Sequence, residues 1–86
     1  MPEICRFYGI VIQLYYADHA PPHFHAFYAD QKIVIDIKTF SIIEGHLQPR
    51  ALGLVIEWAS MHQKELFLAF DQASQMMPPE KIEPLI

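Results

Sequence analysis

Three of the five histidines fall within seven consecutive positions, in the stretch Asp18-His19-Ala20-Pro21-Pro22-His23-Phe24-His25. Imidazole takes and gives protons near neutrality, and in its neutral form it is the commonest metal ligand among side chains. Two chemistries follow. The spacing His19-x3-His23-x-His25 suits a divalent transition metal, because residues i and i+2 of a strand share a face. Asp36 can add a carboxylate from a neighbouring strand. The same residues suit acid–base catalysis. His25 oriented by Asp36 is a base with its orienting carboxylate, and His23 and Lys38 complete that candidate catalytic set. Lys38, with Arg6 as a further binding residue if its strand lies alongside, can hold a phosphate. No serine or cysteine nucleophile accompanies them, but RNA cleavage needs none from the protein, because the ribose hydroxyl attacks. The plain alternative is that the histidines hydrogen-bond Asp36 and the loop backbone and only fix strand register. No cofactor is expected, a divalent transition metal being the one exception the histidines allow.

A second constellation is Trp58, His62 and Glu65. They fall at i, i+4 and i+7, one flank of a helix. The simpler reading is an aromatic that caps the core with a polar rim. The functional reading is a partner-binding surface, since Trp is enriched at interfaces.

These residues need elements to hold them. In residues 4 to 16, Ile10, Ile12, Leu14 and Tyr16 alternate with Val11, Gln13 and Tyr15, which is the period of a strand. Gly9 divides this segment into a short strand near 4–8 and a longer one at 10–16. Two prolines stiffen the loop over 18–22. Period two resumes from His23 to Ala29 and from Lys32 to Lys38, around a turn at Asp30-Gln31. Matching the apolar faces pairs Tyr28 with Ile33, Ala26 with Ile35 and Phe24 with Ile37. A slip by one residue would bury the wrong face. On the opposite face this register sets His25 against Asp36 and His23 against Lys38. Thr39 to Gly45 reads as a short strand closed by a Glu44-Gly45 turn. Pro49 suits the first turn of a helix. An apolar stripe through Leu52, Val55, Ile56, Ala59, Leu66, Phe67 and Phe70 predicts one long helix, with Met61-His62-Gln63 the place for a bend or break. The expected fold is α+β: an antiparallel sheet of three to five strands packed on one long C-terminal helix. It forms a single domain over 1–86, with sheet 4–45, helix 49–75 and an extended tail 76–86.

Composition narrows the function. The chain has 86 residues, 52% of them hydrophobic and 13% aromatic, which suits one folded domain. So much apolar content in so short a chain predicts exposed apolar surface, and with it a protein partner or a homodimer. A net charge of −4 counts against a nucleic-acid binder, so RNA is a partner the charge does not support. The lone Cys5 forms no internal disulfide and suits a reducing cytoplasm. No signal-peptide pattern opens the sequence, and no apolar run is long enough to span a bilayer. A cytoplasmic protein without membrane contact is expected.

With these residues set out, the chain resembles the short bacterial proteins grouped as domain of unknown function 4160. The resemblance rests on Met1-Pro2 with Ile4, Arg6-Phe7, Gly9-Ile10-Val11-Ile12, Asp18-His19 and Pro21-Pro22-His23-Phe24-His25-Ala26. It continues through Ile35-Asp36, Gly45, Leu47, Arg50-Ala51-Leu52, Glu57-Trp58-Ala59, His62, Glu65-Leu66 and Lys81-Ile82-Glu83-Pro84-Leu85. The chain departs from the family at Leu68-Ala69-Phe70, where members carry polar residues and a tryptophan. It departs again at Gln48-Pro49-Arg50, where an extra basic residue is common. Such proteins are commonly encoded beside another short family, an arrangement that resembles toxin–antitoxin modules. The resemblance therefore implies an interaction module of a two-gene toxin–antitoxin-like system, docking a small protein partner from the neighbouring gene. The alternatives are a small RNase-like toxin using His25 and Asp36, or a His-rich metal-binding domain.

Overall fold

Alternating apolar residues make strands in the first half of the chain, and helical spacing takes over after Pro49. The structure is a computed structural model that describes residues 2–86; Met1 lies outside the described residues. Five strands run in order, β1 (Glu3–Phe7), β2 (Ile10–Gln13), β3 (His23–Tyr28), β4 (Gln31–Asp36) and β5 (Ile42–His46). They form one antiparallel sheet in sequence order, a meander. Helices α1 (Pro49–Met61) and α2 (Gln63–Ser74) follow.

The alternation determines which face is buried. Ile10, Ile12, Phe24, Ala26, Ile33 and Ile35 are fully buried on one face, against Val55, Trp58, Ala59, Leu66 and Ala73 of the helices. The extended tail closes this core: Ile82 and Leu85 are buried, and Ile82 N donates to Ile4 O. The first hairpin turns at Tyr8-Gly9, where both residues have positive φ (49° and 79°). Two-residue turns of that hand match the twist of the strands they join, and glycine adopts it without strain.

Three expectations need correction. The single long helix is two helices that meet at His62, whose backbone (φ −129°, ψ 27°) leaves the helical region. Just past the break, Gln63 Nε2 at the start of α2 donates to Ile37 O (2.9 Å), the residue that follows β4. The β3–β4 turn is Ala29-Asp30, with Ala29 in the left-handed region (φ 54°), so Tyr28 pairs with Gln31. Every expected pair therefore shifts by two residues: Phe24 faces Ile35, His25 faces Val34 and His23 faces Asp36. A two-residue shift keeps each side chain on its expected face, so burial does not forbid it. Gly45 is not a turn residue but lies within β5 opposite Ile33. A Cβ there would sit 2.2 Å from Lys32 O, and φ is +78°, so glycine alone lets the two backbones meet.

Candidate functional site

The loop between β2 and β3 folds back over the start of β3. Three bonds hold it: Ala17 N donates to Ala73 O of α2 (2.9 Å), Ile37 N to Pro22 O (3.0 Å) and His19 N to Asp18 Oδ1 (3.0 Å). The last bond engages one oxygen of Asp18 and leaves Oδ2 to face β3. Asp18 Oδ2 lies 2.8 Å from His23 Nε2 and 3.7 Å from His25 Nε2. One ligand atom from each of Asp18, His23 and His25 lies within 4.8 Å of the others.

The two imidazoles are oriented differently. His23 Nδ1 lies 2.6 Å from Pro21 O, a contact it can make only as a donor. In the neutral ring Nε2 then carries the lone pair and points it at a carboxylate oxygen, and two acceptors at that separation repel unless a proton or a cation lies between them. The His23 ring also packs against Phe70 of α2, with centroids 5.6 Å apart. His25 is only 6% exposed. Its ring is stacked flat under Tyr15, with centroids 3.9 Å apart and planes at 7°. Neither of its ring nitrogens has a hydrogen-bond partner among the described residues. Burial holds its pKa below the ordinary 6.5, and the neighbouring His23 pushes the same way against the opposing pull of Asp18. A neutral ring is the form that ligates a metal. Gln13, which pairs with His25 across the β2–β3 ladder, carries a buried Oε1 that also lacks a partner.

The other expected site residues lie elsewhere. His19 is exposed on the loop, and only its backbone contributes a bond. Asp36 is not the partner of His25: its Oδ1 accepts from Lys38 N (2.7 Å) and Thr39 N (3.1 Å), capping the turn after β4. Lys38 is an exposed residue of that turn. Arg6 sits on edge strand β1, two strands from β3, in a double contact with Glu3 (3.0 and 2.8 Å). Trp58 is fully buried, donates to Glu83 O (2.8 Å) and packs against Phe7 and Phe24, so it offers no surface to a partner. His62 Nδ1 pairs with Glu65 Oε1 at 2.7 Å, one turn apart at the start of α2.

Sequence reasoning placed Asp18 beside the histidines but did not put it in the site. The available signal was the pair of prolines, which reverses the loop and returns Asp18 toward β3. Tyr15 and Gln13 could have been found from period two, since they alternate with the buried Ile12 and Leu14 and so share the histidine face of the sheet.

Comparison with known proteins agrees with the resemblance read from the motifs. A family described as a domain of unknown function (DUF4160) matches residues 9–71, a span that includes Asp18, His23 and His25. No curated protein and no solved structure matches the chain. Because the match covers well over half of the sequence, the chain belongs to the DUF4160 family.

Proposed function

We propose that this protein is a metal-binding domain in which Asp18, His23 and His25 hold one divalent transition-metal ion. One observation carries the reading: a carboxylate oxygen and two imidazole nitrogens converge within 4.8 Å, and the most buried of the three residues has no hydrogen-bond partner among the described residues. A proton between Asp18 and His23 satisfies one contact and leaves His25 unpaired in a buried site, which is costly. A cation at the centre satisfies all three groups at once. The donor set also fits. Two imidazoles and one carboxylate suit Zn2+ or its first-row neighbours, whereas Ca2+ and Mg2+ prefer all-oxygen sites. The His23 Nδ1 bond to a backbone carbonyl is the support that metal-bound histidines usually have. An ion of this kind supplies Lewis acidity and lowers the pKa of a bound water toward neutrality.

The acid–base reading has less support. Asp36 is engaged elsewhere, and both nitrogens of His23 already face oxygen acceptors, so neither is free to take a proton from a substrate.

Calorimetric titration of tag-free apoprotein with Zn2+ tests the proposal. One ion per chain is expected, lost in Asp18→Ala and His25→Ala and retained in His19→Ala. Absence of binding, or binding indifferent to Asp18→Ala and His25→Ala, contradicts it.

A second reading, the interaction module of a two-gene toxin–antitoxin-like system, is favoured by a different observation. Edge strand β5 leaves Ile42 and Ile43 49% and 47% exposed beside an unpaired ladder. Exposed edges of this kind accept a strand from a partner. Ile43→Lys should abolish co-purification with the protein of the adjacent gene and leave zinc binding unchanged.

A further inference from the structure

The ring of Tyr15 lies flat on that of His25, with centroids 3.9 Å apart and planes at 7°. The chain on either side sets this contact up. Just before it, Leu14 is buried in the core and its N donates to Pro2 O (3.1 Å). Just after it, Ala17 turns the chain through the left-handed region (φ 56°), and its N donates to Ala73 O of α2 (2.9 Å). Asp18 is the next residue. One short segment, held at both ends, therefore delivers both the ring that covers His25 and the carboxylate that lies 3.7 Å from its Nε2.

The stack limits what Tyr15 can do. The Nε2 lone pair lies in the imidazole plane, so an ion bound there lies in that plane as well. Two flat rings in van der Waals contact keep their planes about 3.5 Å apart. A phenol oxygen lies in the plane of its own ring, so the Tyr15 hydroxyl stays well outside the roughly 2.0–2.2 Å of a zinc–oxygen bond. Tyr15 is therefore not a ligand. The two histidines differ in what orients them. A metal-bound histidine ordinarily donates its other ring N–H to a carboxylate or carbonyl, which fixes the plane of the ring. His23 has that support from Pro21 O. His25 has no hydrogen bond among the described residues, and its two nitrogens are shut off from water. The flat contact with Tyr15 fixes its plane instead.

We infer that Tyr15 is a positioning residue of the metal centre, whose ring holds the plane of His25 and slows the ion's departure. The inference rests on the metal reading. Because Tyr15 and Asp18 belong to one segment, lifting that segment breaks the stack, the Asp18 contacts and the Ala17–Ala73 bond together. Removing the ring takes away the first of these and leaves His25 free to turn about its side-chain bonds.

Cobalt makes the test direct, because the visible spectrum of bound Co2+ reports the geometry of its ligands. Each protein is loaded with one equivalent of Co2+, and release into excess EDTA is followed by the loss of that spectrum. Tyr15→Phe keeps the flat ring and should release Co2+ within twofold of the native rate, with an unchanged spectrum. Tyr15→Ala should release it at least about tenfold faster, bind it more weakly by a similar factor and alter the spectrum. Tyr15→Leu, which keeps apolar bulk without a flat ring, should follow Tyr15→Ala, and it carries the test alone if Tyr15→Ala does not fold. Phe27→Leu removes an aromatic ring two residues from His25 on the same face of β3 and should change neither rate nor spectrum. Release from Tyr15→Leu at the native rate, release from Tyr15→Phe as fast as from Tyr15→Leu, or equal acceleration in Phe27→Leu would overturn the inference and leave the metal site standing. Failure of the native protein to bind Co2+ would overturn the metal reading and this inference with it.

Discussion

Two histidine–carboxylate pairs in this molecule look alike as distances and differ in every other respect. His23 and Asp18 are 2.8 Å apart, and His62 and Glu65 are 2.7 Å apart. The second pair lies within one turn of one helix, and its carboxylate is 52% exposed. Water competes for it, and an exposed pair of this kind contributes little. The first pair joins a loop to a strand, packs against Phe70 through His23, and has a third member, His25, which stacks on Tyr15 and whose nitrogens have no partner among the described residues. A short distance between a histidine and a carboxylate therefore identifies neither as a site. What separates them is convergence from different elements, together with a buried donor that the protein leaves unsatisfied.

Variants can break this contrast, and the largest effect belongs to the helix side. Trp58→Ala removes a fully buried side chain and its bond to Glu83, and should cost about 3–5 kcal/mol in urea unfolding. It should leave the metal ligands in place in whatever protein remains folded. Next, His25→Ala should weaken Zn2+ binding at least a hundredfold, roughly 2.8 kcal/mol, whereas His62→Ala should leave affinity unchanged. Equal losses would erase the distinction between the two pairs.

A smaller effect appears with pH at Cys5, which borders Trp58. Burial pushes its thiol up to about 11 from an ordinary 9.0. The folded pKa is the higher one, so the stabilisation from keeping the thiol neutral is intact below pH 9 and is lost as pH rises from 9 through 11. Stability of the metal-free protein should fall over that window, and Cys5→Ala should flatten the fall. The smallest effect is at the exposed pair: Glu65→Gln should change stability by less than about 1 kcal/mol.

How much of this was legible beforehand depended on which force decided each feature. Burial decides faces, and the faces were readable: Phe24 with the core, His23 and His25 on the other side. Burial cannot distinguish registers two residues apart, and there the turn decides. Ala29 adopts a left-handed conformation that its side chain does not advertise, so the expected His25–Asp36 pair gave way to His25–Val34. The same limit hid Gly45, whose contact with Lys32 O exists only once β5 is paired. Asp18 was visible as a neighbour in sequence, but its role depends on how the loop returns over β3, which tertiary bonds such as Ala17–Ala73 fix. The helix stripe was clear from residue spacing, with Met61-His62-Gln63 marked as the weak point, while a break there in place of a continuous helix reflects the anchoring of Gln63 on β4.

The location of the ion decides whether Asp18, His23 and His25 form one site. Anomalous diffraction at the zinc absorption edge, from crystals of protein carrying one equivalent of Zn2+, tests it most directly. A single peak is expected about 2.0–2.2 Å from Asp18 Oδ2, His23 Nε2 and His25 Nε2. A peak at His62 and Glu65, or no ordered peak at Asp18, would contradict it.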